Sequence, residues 1–325
     1  MKDKIFNISS REEYEKIALE IFRIQSEQCT PYKDFITLTG VNTSAVNSIE
    51  KIPFLPVSLF KSHSIICQGL EPEIVFTSSA TSGMIPSSHP VADLSIYKES
   101  FSKAFRLFWG EPSEYAILAL LPSYLEREGS SLVYMVDNLI KESCNSDSGF
   151  YLYDFDTLYH KLVSLKERGV KTLLLGVSFA LLEFIDQYQI NFPQLIVMET
   201  GGMKGRGKEI SRDQLHSALR SGFGVSKIAS EYGMAELLSQ AYSYGDGLFE
   251  TPPWMEILIR DLSNPFRILN GHATGGINII DLANLNSCSF IETQDMGKKE
   301  TGNTFSISGR IQNSELRGCN LLLEQ

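Results

Sequence analysis

Much that would mark a chain out at once is missing from these 325 residues. Cysteine is sparse: Cys29, Cys67, Cys144, Cys288 and Cys319 are far apart, odd in number and form no CxxC pair. That excludes a disulfide framework and a thiolate zinc site. No apolar run approaches the roughly 20 residues that a helix needs to cross a bilayer. The opening MKDKIFNISSREEYEK lacks the apolar centre of a signal peptide. There is no internal repeat, no low-complexity tract and no Walker pattern of GxxxxGK followed by Ser or Thr. Excess positive charge is also lacking. With 29 Lys and Arg against 39 Asp and Glu, the formal net charge is −10, which argues against a broad nucleic-acid surface and leaves room only for a local basic pocket. The expectation is a cytoplasmic protein with reduced thiols and no transmembrane segment.

What is present is ordinary globular material. Hydrophobic residues make up 43% and charged residues 21%, enough for one large or two medium domains. Ser10 and Glu13 have capping-box spacing ahead of a stripe formed by Tyr14, Ile17, Ala18, Ile21 and Phe22, which predicts a helix from about Ser10. In KIPFLPVSLFKSH, Pro53 and Pro56 oppose a helix start and favour an extended, packed segment. From Ile74 strand and helix patterns alternate. EIVFTSS reads as a strand, then a helix capped by Asp93 and ended by Gly110, the strand YAILALLP, a helix over SLVYMVDNLI, the strand FYLYDF, and a helix capped by Asp156 and closed by Gly169. KTLLLG, a helix over FALLEFIDQY, QLIVMETGG, a helix after Ser211 and VSKIAS continue the series. Such repetition predicts a parallel or mixed sheet covered by helices, with ligands beyond the carboxyl ends of strands. After Tyr244 the pattern changes to short strands and turns.

Four stretches could carry chemistry. FTSSATSGMIPSSHP places Thr77, Ser78, Ser79, Thr81, Ser82 and Gly83 after a strand, where hydroxyls and backbone N–H groups suit phosphate oxygens; a plain polar loop is the alternative. SEYGMAE offers Tyr232 as a ring to stack on a base, Gly233 for close approach and Glu236 as an oxygen ligand for magnesium; the alternative is a strand-to-helix turn with a capping glutamate. Asp295 in TQDMG could accept two hydrogen bonds from a ribose diol, or simply sit in a turn. In SGRIQNSELRGCN, Arg310 and Arg317 flank a loop carrying Cys319. His63 and His89 lie in Pro-rich or Ser-rich surroundings and are assigned no role as bases.

The order of these stretches resembles the adenylate-forming superfamily of acyl- and aryl-CoA ligases. Within it, IPFLPVSLFKSH, ILALLPSYLEREGSSLVYMVDNLI, ETGGMKGRGKEISRDQLH and EYGMAELLSQAY are similar to the acyl-protein synthetase of bacterial luminescence fatty-acid reductase, over nearly the whole chain. The resemblance implies an α/β fold: an adenylate-forming core of helix-covered mixed sheets plus a smaller β-rich unit, with the C-terminal lid domain largely absent. The boundaries expected are an N-terminal segment 1–70 packing on the core, a nucleotide- and acid-binding core 71–245, a β-rich subdomain 246–309 and a hinge with tail 310–325.

The resemblance further implies ATP and Mg2+ as cofactors and a carboxylic acid of the fatty-acid class, made into acyl-AMP. Thr77 to Gly83 would hold the β- and γ-phosphates, Tyr232 would pack on adenine, Glu236 would hold Mg2+, Asp295 would bind the ribose hydroxyls and Arg310 would help at the ribose or hinge. Relatives carry one lysine after the phosphate loop, where MIPSSHP has none, and a second in the lid, which is expected to be missing here with that domain. Lys204 and Arg206, in the basic stretch GGMKGRGK, are the candidates to supply that charge, with a solvated basic turn as the alternative. The resemblance also implies a nucleophilic cysteine near the C-terminus, which places Cys319 as acceptor of the acyl group before transfer to a reductase or carrier protein. Arg317 and Arg310 would favour its thiolate, and a buried structural thiol is the alternative. A ligase that uses coenzyme A or a carrier-protein thiol, and a nucleotide-binding scaffold without catalysis, are the competing functions.

Overall fold

The computed structural model describes residues 1–78, 85–122, 129–201 and 210–311. The chain forms two compact units. The terminal unit takes Met1–Leu59, Ile65–Gln68 and the chain from Pro253; the central unit takes Phe60–Ser64 and Gly69–Pro252.

The terminal unit begins with the short helix α1 (Lys2–Ile5), then α2 (Arg11–Gln28) and α3 (Thr30–Thr39). Ser10 caps α2 by accepting from the Glu13 N–H; Glu13 returns its carboxylate one residue further out, to the Ser9 N–H at 3.0 Å. The predicted stripe of α2, Tyr14 to Phe22, is buried. Strand β1 (Leu55–Pro56) runs parallel to β14 (Phe290–Lys299), as the two prolines permit on an extended segment. The β-rich part consists of β11 (Met255–Arg260), β12 (Ile268–Leu269), β13 (Thr274–Asp281), β14 and β15 (Thr304–Arg310), side by side in the order β12-β11-β13-β14-β15 and antiparallel. Phe22, Tyr32 and Phe54 surround Phe290, with ring centroids 6.0 to 6.3 Å from it. Buried Gln25 is fully used: its amide donates to the Asn284 and Leu285 carbonyls and its oxygen accepts from the Ser289 N–H. A buried amide so satisfied fixes the register of α2 on the loop 282–289.

In the central unit the strands are β4 (Ala116–Leu120), β5 (Gly149–Phe150), β6 (Thr172–Val177), β7 (Ile196–Thr200), β8 (Ala229–Tyr232), β9 (Ala241–Ser243) and β10 (Leu248–Glu250). Their order is β10-β9-β8-β7-β6-β4-β5; pairs from β5 to β8 are parallel and those from β8 to β10 antiparallel. AILAL and TLLLGV are buried along their whole length, the pattern of a sheet covered on both faces. The helices are α4 (Leu94–Trp109), α5 (Ser131–Ser143), α6 (Phe155–Glu167), α7 (Ser178–Gln187) and α8 (Arg212–Phe223). Asp93 caps α4, and Ser211 with Gln214 forms a complete capping box on α8. The expected mixed α/β class is the one observed.

Five local readings are corrected. Of FYLYDF only Phe150 joins the sheet, in the two-residue strand Gly149–Phe150, and the cap of α6 is Asp154, which accepts from the Thr157 N–H, not Asp156. The strand read at VSKIAS starts only at Ala229 and runs on through Tyr232. No helix follows: the chain turns back as β9, so the segment around Gly233 joins two antiparallel strands. Finally, SHPV forms β3 (Ser88–Val91), which pairs with β2 (Ile74–Thr77) as a separate antiparallel ribbon. Alternation in a four-residue strand holding a proline is too weak a pattern to read, and Pro90 is tolerated because the ribbon has two edges.

Candidate functional site

Two segments of the central unit meet. One is the β2–β3 ribbon, and the other is the turn after β8. The Ser87 hydroxyl donates to Oε1 of Glu236 at 2.5 Å, and the His89 ring Nδ1 lies 2.9 Å from the Ala235 carbonyl. Glu236 is 7% exposed and Ser87 2%, so this carboxylate is a buried hinge point between the segments. His89 is sealed against Phe60, and burial pushes its pKa down to about 4 although the Ala235 carbonyl opposes that. A neutral imidazole with Nδ1–H donating to Ala235 follows. His89 therefore acts as a cross-link between the ribbon and the turn.

The ribbon ends where the hydroxyl-rich stretch begins. The Thr77 N–H donates to the Gly129 carbonyl at 2.8 Å and the Ser78 N–H to the Ser87 carbonyl at 3.1 Å. The Ser87 N–H donates in return to the Ser78 hydroxyl at 2.9 Å. The amides of Thr77 and Ser78 are thus committed to closing the ribbon, which shifts any phosphate-binding backbone beyond them. Ser79, Thr81, Ser82 and Gly83 lie outside the described residues, as do Lys204, Arg206, Arg317 and Cys319.

Tyr232 is the last residue of β8, opposite Ala241, with its ring 5.9 Å from that of Phe249. Gly233 has a reason of its own: a Cβ there would lie 2.6 Å from Oε1 of Glu231. Its small size makes room for a neighbouring carboxyl group. Glu231 is buried and takes a hydrogen bond from the Thr200 hydroxyl. Burial pushes its pKa up to about 7, the nearby Glu199 adds to that, and Thr200 opposes it. On β7, Glu199 accepts from Ser178 at 3.2 Å and lies 3.5 Å from Nε2 of His216. Sequence reasoning missed Ser87, Thr200, Glu199, Glu231 and His216. The signal was available: IVMET and ASEY each set a glutamate at the carboxyl end of an apolar strand, where a sheet covered on both faces has no solvent to offer it.

Asp295 and Arg310 belong to the terminal unit. They face each other across β14 and β15, with Nε of Arg310 3.5 Å from Oδ1 of Asp295. Asp295 is 8% exposed and its N–H donates to the Thr293 hydroxyl. The structure therefore brings Thr77 and Ser78 together with the Glu236 turn in one unit, and Asp295 together with Arg310 in the other. Among the described residues no three His, Cys, Asp or Glu side chains converge on a metal site. One carboxylate such as Glu236 is compatible with Mg2+, which takes its remaining ligands from phosphates and water. Among the described residues no helix is long and apolar enough to cross a membrane.

A helix-covered mixed sheet and an antiparallel β-rich unit also occur together in solved structures of 2-hydroxyisobutyryl-CoA ligase and MatB, whose fold this chain shares. Solved structures make the likeness specific. The chain matches 2-hydroxyisobutyryl-CoA ligase in complex with 2-HIB-AMP and CoA with a TM-score of 0.65 at 13% identity, over 94% of this chain and 69% of that one. It matches ATP-bound MatB from Rhodopseudomonas palustris with a TM-score of 0.55 at 15% identity, over 73% of this chain and 47% of that one. A luciferase-like enzyme from the nonluminescent Zophobas morio mealworm matches with a TM-score of 0.50 at 13% identity, over 78% and 61%. The chain spans about half the length of the MatB structures. No protein-family model and no curated sequence matches it.

Proposed function

We propose that the chain activates a carboxylic acid with ATP, giving acyl-AMP and pyrophosphate. The observation that carries this is the Ser87–Glu236 and His89–Ala235 cross-link, which ties the hydroxyl-bearing ribbon to the Tyr-Gly-x-x-Glu turn. Phosphate donors and a metal carboxylate on one scaffold suit a nucleoside triphosphate. ATP in MatB and an acyl-AMP in the 2-hydroxyisobutyryl-CoA ligase support the reading. In the reaction, a carboxylate oxygen of the acid attacks the α-phosphorus, the bond from that phosphorus to the bridging oxygen breaks, and pyrophosphate leaves with the electron pair. The stretch Thr77 to Gly83 would hold the β- and γ-phosphates, Tyr232 adenine, Asp295 the ribose diol and Arg310 the ribose edge. Glu236 would hold Mg2+, which when bound neutralises phosphate charge. Lys204 and Arg206 would face the charge developing at the α-phosphate.

The acyl group then moves to sulfur. The Cys319 thiolate attacks the acyl carbonyl, AMP leaves, and the thioester is passed to a reductase or carrier protein. Incubation with ATP, Mg2+ and a panel of fatty acids, read by intact mass, tests this. A hydroxylamine-sensitive acyl adduct that disappears in Cys319→Ser supports it. Coenzyme A in the 2-hydroxyisobutyryl-CoA ligase favours a second reading, in which free coenzyme A is the acceptor. Acyl-CoA formed without labelled protein would select that one. ATP binding without ATP–pyrophosphate exchange, for every acid tried, would leave a nucleotide-binding scaffold.

A further inference from the structure

Around Asp295 the β-ladder is irregular. Gly276 pairs with Met296 and Asn278 with Glu292, so Thr293, Gln294 and Asp295 on β14 face the single residue Ile277 on β13. Such a bulge re-aims side chains and leaves backbone groups without ladder partners. A buried polar side chain, Arg260, supplies them. Arg260 is 4% exposed. Its Nη1 donates to the Ile277 carbonyl at 2.9 Å and to Oδ1 of Asn278 at 3.0 Å, and its Nη2 donates to the Thr293 carbonyl at 2.7 Å. Nη2 also lies 3.5 Å from the Glu292 carboxylate. The Thr293 hydroxyl donates to the same Ile277 carbonyl at 2.8 Å and accepts from the Asp295 N–H at 3.1 Å. An unbroken chain of hydrogen bonds thus runs from the guanidinium to the backbone of Asp295.

Gly276 confirms how closely the guanidinium is fitted. A Cβ at that position would lie 2.4 Å from Cζ of Arg260. Burial lowers the Arg260 pKa, and the charges of Glu292 and Asp295 oppose that, so two carboxylates share the field of one desolvated cation. The planar fork matters: it reaches two carbonyls and an amide oxygen at once, which a lysine point charge cannot do.

We propose that Arg260 is a positioning residue for Asp295. It holds the bulge of β14 in the shape that presents this carboxylate to the hydroxyls of a bound ribonucleotide. The proposal rests on the reading of Asp295 as the ribose ligand. Its test is calorimetric binding of ATP and of 2′-deoxyATP to the whole chain. Wild type favours ATP by on the order of ten-fold, the worth of one hydrogen bond to a carboxylate. In Arg260→Met, and in Gly276→Ala, where the new methyl displaces the guanidinium without removing it, the preference falls towards one. The Kd for 2′-deoxyATP stays within a few-fold of wild type, which a general loss of structure would not allow. Asp295→Ala separates the two ideas. If it abolishes the preference while Gly276→Ala and Arg260→Met keep it, the positioning role is wrong. If Asp295→Ala keeps the preference too, the ribose assignment is wrong and the positioning role goes with it. Should Arg260→Met not fold, Gly276→Ala decides.

Discussion

Glu231 and His89 are buried in the same unit and titrate in opposite senses, which makes their pH dependence the sharpest test of its interior. Glu231 has a folded pKa of about 7 against an ordinary 4.5. Its carboxyl group is at no disadvantage when both states are protonated, and stability is lost as pH rises from 4.5 through 7. The gap amounts to about 3 kcal/mol. His89 has a folded pKa of about 4 against an ordinary 6.5. Its contribution is fully present above pH 6.5 and is lost as pH falls through 4, again about 3 kcal/mol. Between pH 4.5 and 6.5 the two slopes cancel, so these groups together leave stability nearly flat. Glu231→Gln keeps an acceptor for Thr200 and removes one slope. The difference in unfolding free energy between variant and wild type, whatever its offset, should then grow by about 3 kcal/mol in favour of the variant from pH 4.5 to 7. Urea unfolding followed by Trp109 fluorescence in a Trp254→Phe background reports on the central unit. A difference that stays constant across that range would refute the argument that Glu231 is a desolvated carboxyl group.

Three further outcomes follow from individual side chains. Ser87→Ala removes one hydroxyl donor from the buried Glu236 and should lower the stability of the central unit by about 1 kcal/mol, read by the same urea titration. At α6, Asp154→Ala should cost about 1 kcal/mol in thermal unfolding, as loss of an N-cap does. Asp156→Ala should cost clearly less, since that side chain is 71% exposed and, among the described residues, pairs with His160 and Tyr188 at its surface.

How much was legible can be argued from particular residues. The stripe of α2 and the apolar runs of β4 and β6 were readable because each pattern repeats over a length that chance does not supply. The Tyr232–Glu236 stretch stood out by composition, but its local form did not. Whether a chain continues as a helix or turns back as β9 depends on the partner strand β8 offers, and that lies in other segments. FYLYDF looked like a strand on its side chains alone, yet only its beginning finds a neighbour in β4.

By itself, then, the sequence determined the alternation of strands and helices, the burial of the central strands and the presence of a hydroxyl-rich stretch and a ring-and-carboxylate turn, all properties of residues near one another in the chain. Only the tertiary structure decided that Ser87 and His89 clasp that turn, that Glu231 carries a carboxyl group with a pKa of about 7 and that Arg260 underpins Asp295. Each of those depends on desolvation and on hydrogen bonds between groups tens to hundreds of residues apart, and no local pattern encodes either.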